Sequence, residues 1–281
     1  MTLRRAAAAL VALTLASGCA TRSTQATYEA LQDWYLAQGL LRTDYDPIDA
    51  PFTRDDLVRD FEKIAFHSEY APGDTLRQQD TPTELFKWSD GLSWSLDGDA
   101  AEPSDYAAMR VLTLRLGAAT GLSFIELPPD AVAKPDVTMM ILGPRTRQAV
   151  AKMIRERDDG PSLPLVQAWA REDKFPCIGH IGQVDRDKGG MRLRAFILIK
   201  AETTRLLRQS CLHEEFTQVL GLLNDGDDVR PSIFNDGQEF ALLTRHDEML
   251  LRILYDPRLK AGMTAQEGMP IVRRIAAELP L

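Results

Sequence analysis

The 281-residue chain is poor in histidine and cysteine, with four of the first and three of the second. Imidazoles at positions 67, 180, 213 and 246 give little material for the His-rich donor set that zinc prefers. Positive charge is also short. Lys and Arg number 33 against 41 Asp and Glu, and the net charge is −8, which argues against nucleic acid or an anionic membrane face as a partner. There is no basic stripe, no Walker loop and no G-x-G-x-x-G, so no phosphate cradle is signalled. No G-x-S-x-G marks a nucleophile elbow. Internal repeats are absent, as is any Pro-, Gly- or Ser-rich linker that would divide the chain. What is present suits a globular protein with a sizeable core: 44% hydrophobic and 26% charged residues.

The N-terminus carries the clearest signal. Arg4 and Arg5 precede the apolar run AAAALVALTLA, which has the length of a signal-peptide core and is too short to span a bilayer. Leu15-Ala16-Ser17-Gly18-Cys19 follows and resembles a bacterial lipobox, in which the Cys is lipidated and becomes the mature N-terminus. Residues 1–18 are therefore expected to be a lipoprotein signal peptide, with Cys19 the lipidation site. The plain alternative is a secretory signal with a chance Cys. Residue 20 is Ala rather than Asp, which points to the outer membrane, facing the periplasm, as the address in the cell envelope. With Cys19 lipidated, Cys177 and Cys211 remain as a pair in an oxidising compartment, where a disulfide is expected over two buried thiols. Such a bridge would close a loop of about 35 residues, worth on the order of 3–4 kcal/mol.

Residues 19–52 read as a tether with one short helical patch, ATYEALQDWYLAQGLL. From residue 53 onward elements alternate. TRDDLVRDFEKIAF puts Leu57, Phe61, Ile64 and Ala65 on one helical face behind a Thr53 or Asp55 cap. Strands are expected at 86–88, at 92–96, in SFIELP, in DVTMMIL and in MRLRAFILIK. Helices are expected from Ser104 or Asp105 to about 119, over 145–157, over 163–171, from near Thr203, and over 237–255. Gly121 is placed to end the first of these.

One stretch carries chemistry: Cys211-Leu-His-Glu-Glu-Phe-Thr-Gln-Val-Leu-Gly-Leu-Leu-Asn-Asp225. On a helix advancing about 100° per residue, Leu212, Phe216, Val219 and Leu223 share one face. Glu214, Thr217, Gln218 and Gly221 share the opposite one, with Glu215 at its edge. His213-Glu214-x-x-Thr217 imitates the zinc helix H-E-x-x-H with the second His lost. Glu214-Glu215-x-x-Gln218-x-x-Gly221-x-x-Asn224 imitates its extended form at more positions. Glu214, Gln218 and Asn224 then stand at ligand positions, Glu215 at that of the general base, and Gly221 at the turn. A solvated helix face followed by an acidic loop accounts for the same residues.

The C-terminal half resembles a family of uncharacterised bacterial secreted proteins and lipoproteins. Its members carry Cys, Glu-Glu, Thr-Gln, Gly-Leu and Asn-Asp at these offsets. They also carry an L-T-x-x-D helix, here Leu243–Asp247, leading into L-Y-D-P-R-L, here Leu254–Leu259. That family is similar to the metzincin-like, or zincin, metallopeptidases, and the resemblance spans about residues 53–264. It implies an α+β fold in which a zincin-like mixed sheet packs on helices, over residues 53–281, with a degenerate active-site helix. Where metzincins place a Met turn, this chain has Ser232-Ile233-Phe234.

Amides such as Gln218 and Asn224 are poor zinc ligands and suit hard cations better. Glu214, Asn224, Asp225 and Asp227 could form an oxygen-rich site. No metal, zinc, and a hard divalent cation all stay open, with His213 a further ligand candidate. His213 reads more simply as a residue at the rim of the core, His180 as a neighbour of the bridge and His246 as a neighbour of Asp247. Cys211 as a nucleophile is disfavoured by its available partner. The leading expectation is a degenerate metallopeptidase-like domain that binds a peptide or envelope protein along an edge strand, for which MRLRAFILIK is the candidate. The alternatives are an atypical metal-dependent hydrolase with Glu215 as general base and a structural envelope scaffold.

Overall fold

A computed structural model of the chain describes residues 23–71, 74–157, 163–184, 192–203 and 205–280. The signal-peptide reading of residues 1–18 and the lipidation site Cys19 lie outside the described residues. Helix α1 (Thr24–Ala37) is followed by α2 (Arg54–Ala65) and a two-stranded hairpin, β1 (His67–Ala71) with β2 (Asp74–Pro82). Then come β3 (Leu92–Asp97), α3 (Pro103–Thr120), β4 (Phe124–Glu126), β5 (Val137–Leu142), α4 (Pro144–Arg157) and α5 (Leu163–Arg171). Strands β6 (Cys177–Val184) and β7 (Arg192–Lys200) precede α6 (Arg205–Gln218), α7 (Arg245–Leu254) and α8 (Ala265–Glu278). Among the described residues no helix is long and apolar enough to cross a membrane.

The five-stranded sheet has the order β4-β3-β5-β7-β6. The first four strands are parallel and β6 runs antiparallel to β7 at the edge. The fold is thus α+β, with helices on both faces of a mixed sheet. The apolar runs of β5 and β7 follow from burial on both sides. Met139, Ile141, Ile197 and Ile199 face the larger core with α2, α3, α6, α7 and α8. Leu142 and Leu198 face the smaller one with Ala151 of α4 and Trp169 of α5. The local signals at helix ends are sound. Thr53 and Asp56 form a reciprocal capping box at α2, and Gly121 ends α3 at φ 75°.

Four expectations are corrected. MRLRAFILIK is not an edge: β7 lies between β5 and β6, and the edge is CIGHIGQV of β6. The segment read as a tether, 19–52, is folded onto the domain from residue 23. Tyr28, Gln32, Leu41 and Ala50 are buried, and Leu41 and Arg42 donate backbone hydrogen bonds to Gln238 and Glu239. Phe86–Trp88 forms no strand. Its groups cap other elements instead, the Trp88 indole nitrogen donating to the Val219 carbonyl at 2.8 Å. The expected helix over 237–255 begins only at Arg245, because Thr244 and Asp247 close a capping box there.

That cap is also a polar hub. The Asp247 carboxylate is fully buried and accepts from the Ser232 hydroxyl, the Ile233 amide, and both the amide and hydroxyl of Thr244. Ser232-Ile233-Phe234 is thereby fixed in the core. Beside it, buried His246 meets Asp60 of α2 through Nε2 at 3.0 Å, while its Nδ1 lies 3.9 Å from Asp247 Oδ1 and has no hydrogen-bond partner among the described residues.

Candidate functional site

Helix α6 packs its inner face into the larger core. Phe216 is fully buried, with its ring centroid 6.5 Å from that of Trp94 and 6.0 Å from that of Phe124. Burying a side chain of this kind stabilises by roughly 1.5–3 kcal/mol. The helix is fixed to edge strand β6 by the disulfide Cys177–Cys211, whose Cα atoms lie 5.9 Å apart, inside the usual range. The carbonyls just beyond its C-terminus are held from outside. Tyr255, the tyrosine of the L-Y-D-P-R-L segment, donates to the Leu220 carbonyl at 2.8 Å, as Trp88 does to Val219. The chain then turns at Gly221, φ 121°, where a Cβ would collide with the Phe86 carbonyl oxygen. The turn position in the motif therefore has a steric reason to be glycine.

Between α6, β6, the β1–β2 hairpin and α1 lies a cleft of about 270 Å³. Glu214, Glu215 and Gln218 line it from α6, Asp225 from the loop beyond, Glu69 and Tyr70 from β1, and Tyr35 from α1. The Gly179 amide of β6 donates to Glu215, and a Cβ on Gly179 would sit 2.6 Å from its Oε2. The carboxyl in the general-base position is therefore held against the edge strand and is only 8% exposed.

The electrostatics of the cleft are one-sided. Burial, and then the charges of Glu69 and Asp225, push Glu215 well above the usual carboxyl range, against the Gly179 amide. Burial and the neighbouring Glu215, Glu69 and Asp236 do the same to Glu214. Asp225 is raised by burial and by Glu214, Glu69 and Asp236, and its Oδ1 is buried with no hydrogen-bond partner among the described residues. Tyr70 is raised by burial and by Glu69, Glu215 and Asp225. Lys174 lines the cleft, but its Nζ is 3.2 Å from Glu172 and lies over the Phe175 ring.

The remaining sequence candidates go elsewhere. Asn224 is 4% exposed, and its amide donates to the Lys63 carbonyl at 3.1 Å and to Asp80 at 3.4 Å. Asp225, one residue later, takes the place in the cleft that the motif spacing gives Asn224. His213 points to the far side of α6, where its Nδ1 accepts from the Leu243 amide at 3.0 Å. Burial and Arg115 push its pKa down to about 4, so it is a neutral structural acceptor. Thr217, expected on the polar face, is fully buried. The ligand set Glu214, Gln218, Asn224 and His213 thus does not converge. Among the described residues no group of three or more His, Cys, Asp or Glu side chains is arranged to hold a metal ion. These donors do not fit zinc.

The family described as a protein of unknown function, DUF2927, matches residues 54–274, more than three quarters of the chain. The chain belongs to this family. The match takes in α2 to most of α8, and so the α6 and β6 walls of the cleft and both segments singled out in the sequence. Helix α1 lies before it. No curated protein and no solved structure matches the chain.

Sequence reasoning missed Glu69, Tyr70, Tyr35 and Asp236. The hairpin stretch HSEYAPGDTLRQQDTP has no clean alternation to mark it as strands, and Tyr35 lay in the presumed tether. Asp225 alone had a signal, as a member of the oxygen-rich set.

Proposed function

We propose that this DUF2927 protein is an envelope protein, anchored by lipid on Cys19, whose metallopeptidase-like cleft is catalytically degenerate. In this reading the cleft receives a cationic side chain of a peptide or envelope-protein partner. The observation that carries the reading is the set of Glu214, Glu215 and Asp225 in one cleft. All three are raised by burial and by mutual or neighbouring negative charge. A guanidinium or ammonium entering there relieves repulsion among the carboxyls and supplies donors they lack, including a partner for Asp225 Oδ1. Edge strand β6, which borders the cleft, offers backbone to an extended peptide, and Tyr70 offers ring surface for a cation. The divergence of Asn224 and His213 supports loss of the metal, since three suitable ligands are the minimum for a catalytic zinc.

The test is calorimetric titration of the full-length protein with extended decapeptides carrying one central Arg, Lys, norleucine or Glu. The Arg and Lys peptides should bind at least tenfold more tightly than the other two, and Glu214→Gln with Asp225→Asn should erase the difference. Equal binding of all four peptides rejects the reading. Stoichiometric zinc in protein purified from periplasm, with peptidase activity lost in Glu215→Gln, would replace it with the hydrolase.

A further inference from the structure

Helix α1 is built differently from the rest of the molecule. Tyr28, Leu31, Gln32 and Tyr35 stand at i, i+3, i+4 and i+7, one stripe of the helix. Leu31 and Tyr35 line the cleft, and Tyr28 and Gln32 are buried beside it. Yet α1 contributes no residue to either hydrophobic cluster. It is held instead by a few polar contacts. The Tyr28 hydroxyl donates to the Asp173 carbonyl at 2.7 Å and accepts from the buried Lys200 ammonium at 3.2 Å. Gln32 Oε1 accepts from the Leu207 amide, in the first turn of α6, at 3.1 Å. The outer face leaves Trp34 and Leu36 about half exposed.

The chain just beyond α1 is anchored far more firmly. After Gly39, at φ 74°, Leu41 is buried and Arg42 bonds to Asp44, Asp49 and Glu239. A 14-residue helix that would be marginal alone is thus attached to a clamped segment through one glycine, and rests on the cleft by the stripe from Tyr28 to Tyr35.

From this we infer that α1 is a displaceable lid, hinged at Gly39, that closes the acidic cleft of the same chain and must swing away before a partner side chain enters. The inference rests on the cleft being the binding site, but its test does not. When α1 leaves, the cleft carboxyls gain access to solvent, and the Lys200 ammonium, which also donates to the Glu172 carbonyl, loses its tyrosine partner.

Two measurements on the full chain decide it, neither involving a ligand. The first is hydrogen–deuterium exchange by mass spectrometry. Residues 24–37 of the wild type should exchange at least tenfold faster than α3 and α6, and the variant Tyr28→Phe/Gln32→Ala should widen the gap at least tenfold further. The second is carbodiimide labelling of Glu214 and Asp225 with an amine nucleophile, which should rise severalfold in the variant while the melting temperature of the domain holds. Exchange of α1 only together with the core in the wild type overturns the inference, and that arm does not depend on the variant folding. Labelling that stays flat while α1 exchanges faster also overturns it, since α1 would then open without covering the carboxyls. Failure of the Arg and Lys peptides to bind would count against the cleft reading alone.

Discussion

Two groups of carboxyls sit on either side of α6 and are treated in opposite ways: Asp247 is fully buried, whereas Glu214 and Asp225 are half-buried beside the buried Glu215. In the hub at the start of α7, fully buried Asp247 accepts four hydrogen bonds from Ser232, Ile233 and Thr244. In the cleft, Glu214, Glu215 and Asp225 crowd one another around open space, with the Gly179 amide among the few donors. A buried carboxylate with every oxygen satisfied orders the loop around it. One left among like charges at a cavity is a candidate functional group. The contrast separates satisfied acid from unsatisfied acid without reference to any motif.

The largest effect should come from the satisfied side. Asp247→Ala strands two amides and two hydroxyls and should cost on the order of 3–5 kcal/mol in urea unfolding. Phe216→Ala, which empties a core socket, should fall in the same range of roughly 3–5 kcal/mol. If Asp247→Ala costs less than Glu214→Ala, the contrast between the two groups is wrong.

Next comes acid pH. His213 is held neutral by burial and by Arg115, with a folded pKa of about 4 against the ordinary 6.5. The unfolded chain takes up its proton first as pH falls, so stability is lost from pH 6.5 down to about 4, by about 3 kcal/mol in full. Replacing His213 by Gln, which can still accept from Leu243, should flatten that limb in melting curves. Unchanged curves would show that the imidazole is not what titrates. His246, raised by Asp247 and Asp60 against its own burial, acts in the opposite sense. Its contribution is held at low pH and lost as pH rises through its folded value.

The cleft should show a smaller effect with the reverse sign. The raised carboxyls keep protons in the folded state that the unfolded chain has released, so they cost stability as pH rises above the usual carboxyl range. Glu214→Gln or Asp225→Asn should therefore stabilise at pH 8, by roughly 0.5–2 kcal/mol, and do little at pH 4. A loss of stability at pH 8 would mean these carboxyls are satisfied after all. Smallest of all, Gln218→Ala should stay within about ±0.5 kcal/mol, since the side chain only lines the cleft.

Much of the scaffold was legible because periodicity and end signals agree there. The Thr53 cap, the Gly121 stop and the apolar runs of β5 and β7 came from local rules, and the pairing of Cys177 with Cys211 from counting cysteines once Cys19 was set aside. The edge was misjudged because β6 carries Gly179 and Gly182, which weaken a strand pattern, while β7 mixes polar and apolar positions at its start. The site was half legible. Glu214, Glu215 and Gln218 follow from helix geometry, as does the need for Gly221. Helical extrapolation then fails, because α6 ends at Gln218 and the turn at Gly221 decides which of Asn224 and Asp225 faces the cleft. Tyr28 and Gln32 could not be read as anchors, since their partners Lys200, Asp173 and Leu207 are more than a hundred residues away in the chain.

The Cys177–Cys211 bond joins the floor of the cleft to its strand wall. With α6 and β6 joined covalently, the hairpin and α1 are the walls of the cleft that this bond does not tie. The same bond makes the cleft sensitive to thiol chemistry. Under reduction α6 and β6 could part by small amounts, and Glu215 would lose its fixed distance to the Gly179 amide while the hydrophobic core beneath stayed intact. With the cleft as the proposed binding site, peptide affinity is expected to fall under mild reductant before any loss of helix content.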